Sequence, residues 1–163
     1  MNVHSYRWHH PNIGTLVFIY DSSRLYRISF AKPDALLPDE AAPSFLEPAL
    51  NWLDIYAESP LNVADAPLKN CPRIFGTPFQ EKVWEALHLS RPGETFSYQS
   101  LATHAGLPSK NARAVAGAMA RNPFIILIPC HRVLRRSGEL GGYSGGDGIE
   151  TKKSLLRHEG IFF

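Results

Sequence analysis

Five consecutive aliphatic or aromatic residues, Phe124 to Ile128, stand between Pro123 and Pro129. A run with no polar side suits neither a half-solvated strand nor an amphipathic helix, so it is expected inside a core as a buried extended segment. The run is far short of the roughly 20 apolar residues that cross a bilayer, and the other uninterrupted run, Leu16 to Tyr20, is no longer. The chain must therefore wrap distant segments around this stretch. Its 163 residues allow one ordinary domain or two small ones sharing an interface. Hydrophobic residues at 44% and charged residues at 20% exclude a disordered tail or a fibrous repeat.

Thr15–Tyr20 and Leu25–Phe30 read as strands joined by the turn Asp21-Ser22-Ser23-Arg24. Two strands alone are marginal, so they need partners. Pro43 to Ser59 places Leu46, Leu50, Leu53 and Ala57 at helical spacing, with Ser44 available as N-cap. The run from Pro60 to Pro78 contains four prolines and reads as a linker. Beyond it, Phe79, Val83, Trp84 and Leu87 share one face of a helix over Pro78–Leu89. Ser97 precedes a short helix Tyr98–Ala105, Gly106-Leu107-Pro108 breaks it, and Ser109 caps a second helix, Lys110–Arg121. Two short helices across a tight turn make a helix-turn-helix candidate. A last amphipathic helix, Ile149–His158, turns Leu155 and Leu156 inward. The expected fold class is α+β, with a small sheet-and-helix unit over residues 1–75 and a mainly helical domain over residues 76–163.

Charge separates along the same line. Residues 1–75 carry 6 basic and 8 acidic residues, and residues 76–163 carry 11 and 7. Within the second part, Lys110, Arg113, Arg121, Arg132, Arg135 and Arg136 occur with no acid among them. Such a stretch reads either as an ordinary solvated surface or as the footprint of an anionic partner. In the second helix of the pair, Ala112, Val115 and Met119 form an apolar stripe expected to face the core. The other side, with Arg113, Ala116, Gly117 and Ala120, is bare apart from one Arg, and a mid-helix Gly costs about 0.5 to 1 kcal/mol relative to Ala. Taken alone, that face serves tight helix packing or close approach to DNA equally. The helix-turn-helix context and the cations favour DNA.

Only Cys71 and Cys130 carry thiols, and in a reducing cytoplasm both are expected free. Cys130 sits in Pro129-Cys130-His131-Arg132. A thiol attacks as thiolate, and its pKa of about 8.5 falls to about 3.5 to 7.5 beside His or Arg. The local sequence therefore reads as a nucleophile or as another small core residue. Gly138 to Gly148 holds six of the twelve glycines around Leu140 and Tyr143, a loop able to bring backbone close to a ligand. Glu159 is placed to orient a histidine, as carboxylates do beside nucleophiles. His4, His9 and His10 read as a solvated trio, and no metal or cofactor is expected. No secretory signal opens the chain, so a cytoplasmic protein is expected.

Six motifs in order, Gly76-Thr77-Pro78-Phe79-Gln80, Phe96-Ser97-Tyr98, Ala112-Arg113-Ala114-Val115, Asn122-Pro123, Ile128-Pro129-Cys130-His131-Arg132-Val133 and Gly142-Tyr143-Ser144-Gly145-Gly146, followed by His158-Glu159-Gly160, resemble the 6-O-alkylguanine-DNA alkyltransferases, or methylated-DNA–protein-cysteine methyltransferases. The resemblance implies a ribonuclease H-like N-terminal unit and a C-terminal transferase domain. It implies irreversible single-turnover transfer of an alkyl group from 6-O-alkylguanine in duplex DNA to Cys130, with 4-O-alkylthymine left open as a second substrate. His131 takes the proton through water, Glu159 holds His131, Tyr98 neutralises the departing guanine and Asn122 braces the thiol's turn. Val133 and Ser144 contact the base, Tyr143 borders the alkyl group, and Lys152 matches the family's lysine. Arg113 fills the space left by the flipped nucleotide, with Ser97, Ala112, Ala114, Ala116 and Gly117 against the DNA. The protein is expected to act as a monomer without an obligatory protein partner or membrane. Some relatives hold a structural zinc through N-terminal Cys and His, a four-ligand arrangement that this chain, with only Cys71 besides Cys130, is not expected to reproduce as such. Cys130 argues against a noncatalytic lesion binder, the length leaves no expected room for a regulator's extra domain, and a thiol protease leaves the bare helix unexplained.

Overall fold

The computed structural model describes residues 2–32, 40–68 and 76–163. Its first element is a three-stranded antiparallel meander of β1 (His4–His10), β2 (Gly14–Tyr20) and β3 (Leu25–Phe30). The hairpin is as expected, and β1 is the partner it needed. The sequence reading missed β1 because its three histidines and Arg7 mask the alternation that turns Tyr6 and Trp8 to the core. The histidines also have specific contacts: His4 Nδ1 with Glu40 at 2.6 Å, His9 Nδ1 with Thr15 Oγ1 at 2.9 Å and His10 Nε2 with Glu58 at 2.8 Å.

Helix α1 (Glu47–Glu58) buries Ala49, Trp52, Leu53, Tyr56 and Ala57, and Trp8 Nε1 reaches across from β1 to Asp54 Oδ1 at 2.8 Å. Ser44 is not its cap. A 3-10 turn, Ser44–Leu46, precedes the helix, and no side chain caps either. The expected boundary after residue 75, and Cys71, lie outside the described residues.

Helix α2 (Pro78–His88) starts in a reciprocal box, Gln80 N donating to Thr77 Oγ1 and Thr77 N to Gln80 Oε1, which satisfies two otherwise orphaned amides. Helix α3 (Tyr98–His104) starts the same way between Ser97 and Ser100. Helix α4 (Ala112–Ala120) does not. Ser109 opens a 3-10 turn, Ser109–Asn111, and caps nothing, because the extra turn moves the α-helical start three residues on. The buried stripe of α4 is Val115, Ala118 and Met119, with Ala112 only half-buried. Trp84 Nε1 of α2 donates to Ala118 O at 2.9 Å, pinning that stripe to the core. Two-residue strands β4 (Phe96–Ser97) and β5 (Val133–Leu134) pair in parallel, and α5 (Ile149–His158) ends the fold.

Phe124 to Ile128 is buried throughout but is not extended. Ile126 adopts φ +69°, and Ile128 N closes a tight turn on Phe124 O at 2.8 Å. A β-branched residue in the left-handed region costs on the order of 1–3 kcal/mol, so its surroundings must impose it. Asn122 Nδ2 donates to Ile128 O at 2.6 Å while its Oδ1 accepts from Phe124 N at 2.9 Å. On the outer side, Ile28 N donates to Pro123 O at 2.8 Å. The sheet and the Asn122 side chain thus hold from two sides the turn that leads to Cys130. No helix among the described residues is long and apolar enough to cross a membrane.

Candidate active site

Cys130 opens a 3-10 turn, Cys130–Arg132, and its amide donates to Ile128 O at 2.8 Å. The residue is 9% exposed and reaches the floor of a cleft of about 360 Å³. Tyr98, Ala116, Met119, Ala120, Gly142, Tyr143 and Ser144 form the rest of its wall. Four separate segments therefore meet around one sulfur.

The thiol's acidity is the reverse of the expectation from its neighbours. Burial pushes Cys130 above the ordinary thiol value, and Asn122, the Lys152 charge and Tyr143 offset this only in part. His131 and Arg132 adjoin Cys130 in sequence but turn to Glu159 instead. Arg132 Nε and Nη2 clamp the two carboxylate oxygens, each at 2.9 Å, and Nη1 donates to Ser90 O at 2.7 Å and Oγ at 2.9 Å. Such a thiol stays protonated at neutral pH and needs a base when it reacts.

His131, the next residue in the chain, is buried against Glu159. Its Nε2 lies 2.8 Å from Glu159 Oε1, with both side chains fully buried. A carboxylate only accepts, so the proton of the neutral ring sits on Nε2 and Nδ1 keeps its lone pair. Nδ1 has no protein partner among the described residues. Burial pulls the imidazole below its ordinary value against the opposing pull of Glu159, which keeps it neutral and able to accept. Burial alone would raise the Glu159 carboxyl, but His131 and Arg132 hold it well below the carboxylate range. Tyr56 Oη at 2.7 Å and the Gly93 amide at 3.2 Å complete its shell.

Lys152 is buried, and no carboxylate among the described residues pairs with it. Its Nζ donates to Val133 O at 2.6 Å, to Leu140 O and to Gly142 O at 3.4 Å, tying the glycine loop to the strand that follows the cysteine. Burial lowers its pKa to about 8, with Cys130 pulling it back up. The Tyr143 hydroxyl lies beside the sulfur and is held protonated by burial and by Cys130.

The structure gathers Tyr98, Cys130, Tyr143, Ser144 and Ala116 in the cleft, puts Asn122 behind it and puts Lys152 under the loop. The Val133 carbonyl already accepts from Lys152, leaving one lone pair for a ligand. Arg113 and Ala114 are exposed, and Ala112, Ala116 and Gly117 are half-buried. A Cβ at Gly117 would meet nothing within 4 Å, so tight helix packing does not explain that glycine. Ser97 caps α3 through its Oγ. Arg132, counted among the cations for an anionic partner, is 2% exposed and spent on Glu159 and Ser90; the other five are exposed. Missed as site residues were Tyr56, Ser90, Gly93 and Arg132. A signal existed for two: Tyr56 follows Trp52 and Leu53 at helical spacing, and Arg132 is enclosed between two apolar segments. Among the described residues no group of three or more His, Cys, Asp or Glu gathers as a metal site.

The sequence pattern described as "6-O-methylguanine DNA methyltransferase, DNA binding domain" matches residues 78–161. The mouse methylated-DNA–protein-cysteine methyltransferase is 44% identical over 137 residues, which is 80% of this chain and 63% of that protein. The chain thus spans less than two thirds of that relative's length. The crystal structure of the Mycobacterium tuberculosis O6-methylguanine methyltransferase superposes with a TM-score of 0.75 at 35% identity, over 97% of this chain and 93% of that one. The structure from the same organism in complex with DNA gives a TM-score of 0.74 at 32% identity, over 96% and 93%.

Proposed function

The chain belongs to the 6-O-methylguanine-DNA methyltransferase family, and from that premise we propose that it repairs alkylated guanine in duplex DNA by taking the alkyl group onto Cys130, once and irreversibly. The observation that carries this reading is the Cys130 sulfur at the floor of an open cleft with the buried His131–Glu159 pair behind it.

In the proposed reaction the thiol proton passes, through a water, to His131 Nδ1, and the imidazolium is stabilised by Glu159. The sulfur then attacks the alkyl carbon, the S–C bond forming as the C–O6 bond breaks. The electron pair goes to the guanine, which leaves as an anion unless a donor neutralises it. Tyr98 in the cleft wall is the donor, and its raised pKa, caused first by burial, keeps its hydroxyl protonated until then. Transfer should fall on acidification as His131 protonates, with a midpoint below the ordinary 6.5 because burial lowers that pKa.

Access to the base needs a flipped nucleotide, because a duplex hides the alkyl group. Helices α3 and α4 act as a helix-turn-helix in which the bare side of α4, with Ala112, Ala114, Ala116 and Gly117, lies against the minor groove and Arg113 replaces the extruded base. Gly117, with open space before it, supports this placement. Phosphate contacts from the exposed Lys110, Arg121, Arg135 and Arg136 supply affinity that weakens with salt. Residues 76–163 form the transferase part.

Arg113→Ala tests the reading. Extrusion costs a few kcal/mol, so losing the residue that supports it should slow methyl transfer from duplex DNA by about ten- to a hundredfold. Transfer from the free alkylated base, followed by intact mass, should stay within about twofold of wild type. Equal slowing on both substrates would reject extrusion as the work of Arg113.

A further inference from the structure

Helix α1 belongs to the sheet-bearing part of the fold, yet it sends one side chain into the buried cluster behind the nucleophile. Tyr56 Oη donates to Glu159 Oε1 at 2.7 Å, and the two residues stand 103 positions apart in the chain. The same oxygen accepts from His131 Nε2 at 2.8 Å and from Arg132 Nη2 at 2.9 Å. Three donors converge on an oxygen with two lone pairs, so each competes with the others for electron density.

We propose that Tyr56 is a positioning residue for His131: by occupying Glu159 Oε1 it fixes the carboxylate and sets how strongly that carboxylate draws a proton onto the imidazole. The proposal deepens the reading of the site as an alkyl acceptor and rests on it. Burial, then Glu159, holds the Tyr56 hydroxyl protonated, so it stays a donor throughout the working pH range. Its ring is held independently, stacked on Trp52 at 5.1 Å and edge-on to His158 at 5.2 Å. The hydroxyl can therefore be removed without unseating the ring. The other groups acting on His131 are Glu159, which favours its charged form, and Arg132 and Lys152, which oppose it. Tyr56 is neutral and acts only through the carboxylate.

In Tyr56→Phe the Oε1 density once shared with the hydroxyl goes to His131, and the imidazole becomes more basic. The His131 titration followed by NMR should move up by about half a pH unit, with no substrate present. The acid limb of the methyl-transfer rate should move the same way, making the variant about threefold slower than wild type on that limb. Trp8→Phe removes the Trp8 Nε1 bond to Asp54 on the same helix and leaves both ring contacts of Tyr56 and the Glu159 shell in place. It should lower the melting temperature and leave both midpoints in place. Superimposable midpoints for Tyr56→Phe and wild type overturn the proposal, as does an equal shift in Trp8→Phe. A wild-type protein that accepts no methyl group defeats the functional reading instead, and the NMR titration still decides the role of Tyr56.

Discussion

Glu159→Gln is expected to lower the unfolding free energy by about 3–5 kcal/mol, the cost of removing one partner of a buried ion pair. The carboxylate accepts from Tyr56, His131, Arg132 through two nitrogens, and the Gly93 amide. An amide puts a donor at one of the two oxygen sites whichever way it is turned. A guanidinium cannot accept, and Arg132 at 2% exposure cannot turn to water. Because the folded-state pKa of Glu159 is depressed, its contribution is fully present above the ordinary value of 4.5 and is lost as pH falls towards the folded value. Denaturant midpoints of wild type and variant should therefore lie far apart at neutral pH and approach one another below pH 4.5. Equal midpoints at neutral pH would show that the buried cluster is not a structural hub. Transfer should fall with stability, since His131 loses the carboxylate that stabilises its protonated form.

Cys130→Ala should abolish transfer and leave affinity for duplex DNA within about twofold of wild type, because it removes only a sulfur from the cleft floor and changes no residue of α4. No described neighbour substitutes. The Tyr143 hydroxyl beside the sulfur is held protonated well above its ordinary range, and Lys152 Nζ is committed to three carbonyls. DNA affinity measured by fluorescence anisotropy and transfer measured by intact mass separate the two properties. A variant that still gains a methyl group would move the acceptor elsewhere, and one that loses DNA affinity would make the thiol part of the binding surface.

Elements with their own periodicity or caps were legible in the sequence. The β2–β3 hairpin, α2 with Val83, Trp84 and Leu87 on one face and α5 with inward Leu155 and Leu156 needed no tertiary information. What depended on distant partners was not. Strand β1 is polar in sequence and is a strand because β2 and Trp8 make it one. The apolar run before the cysteine bends at Ile126 because Asn122 and Ile28 hold both its sides. The site divides in the same way. Cys130, His131 and Glu159 carry chemistry in their residue types, and motif order brought them together. Arg132 was counted among the cations for an anionic partner and Tyr56 was not singled out, and only the fold shows that Glu159 closes around both. The sign of the thiol's shift was missed because adjacency in the chain was taken for adjacency of charge, whereas burial outweighs neighbours that point away.

The most direct test is to mix the protein with an equimolar duplex containing one methylated guanine, digest it, and map the added group by peptide mass spectrometry. One methyl group per chain, carried by the peptide containing Cys130 and never exceeding one however much duplex is supplied, is the predicted result. A methyl group on Cys71 or on any other residue, or a guanine restored while the protein gains nothing, would contradict it.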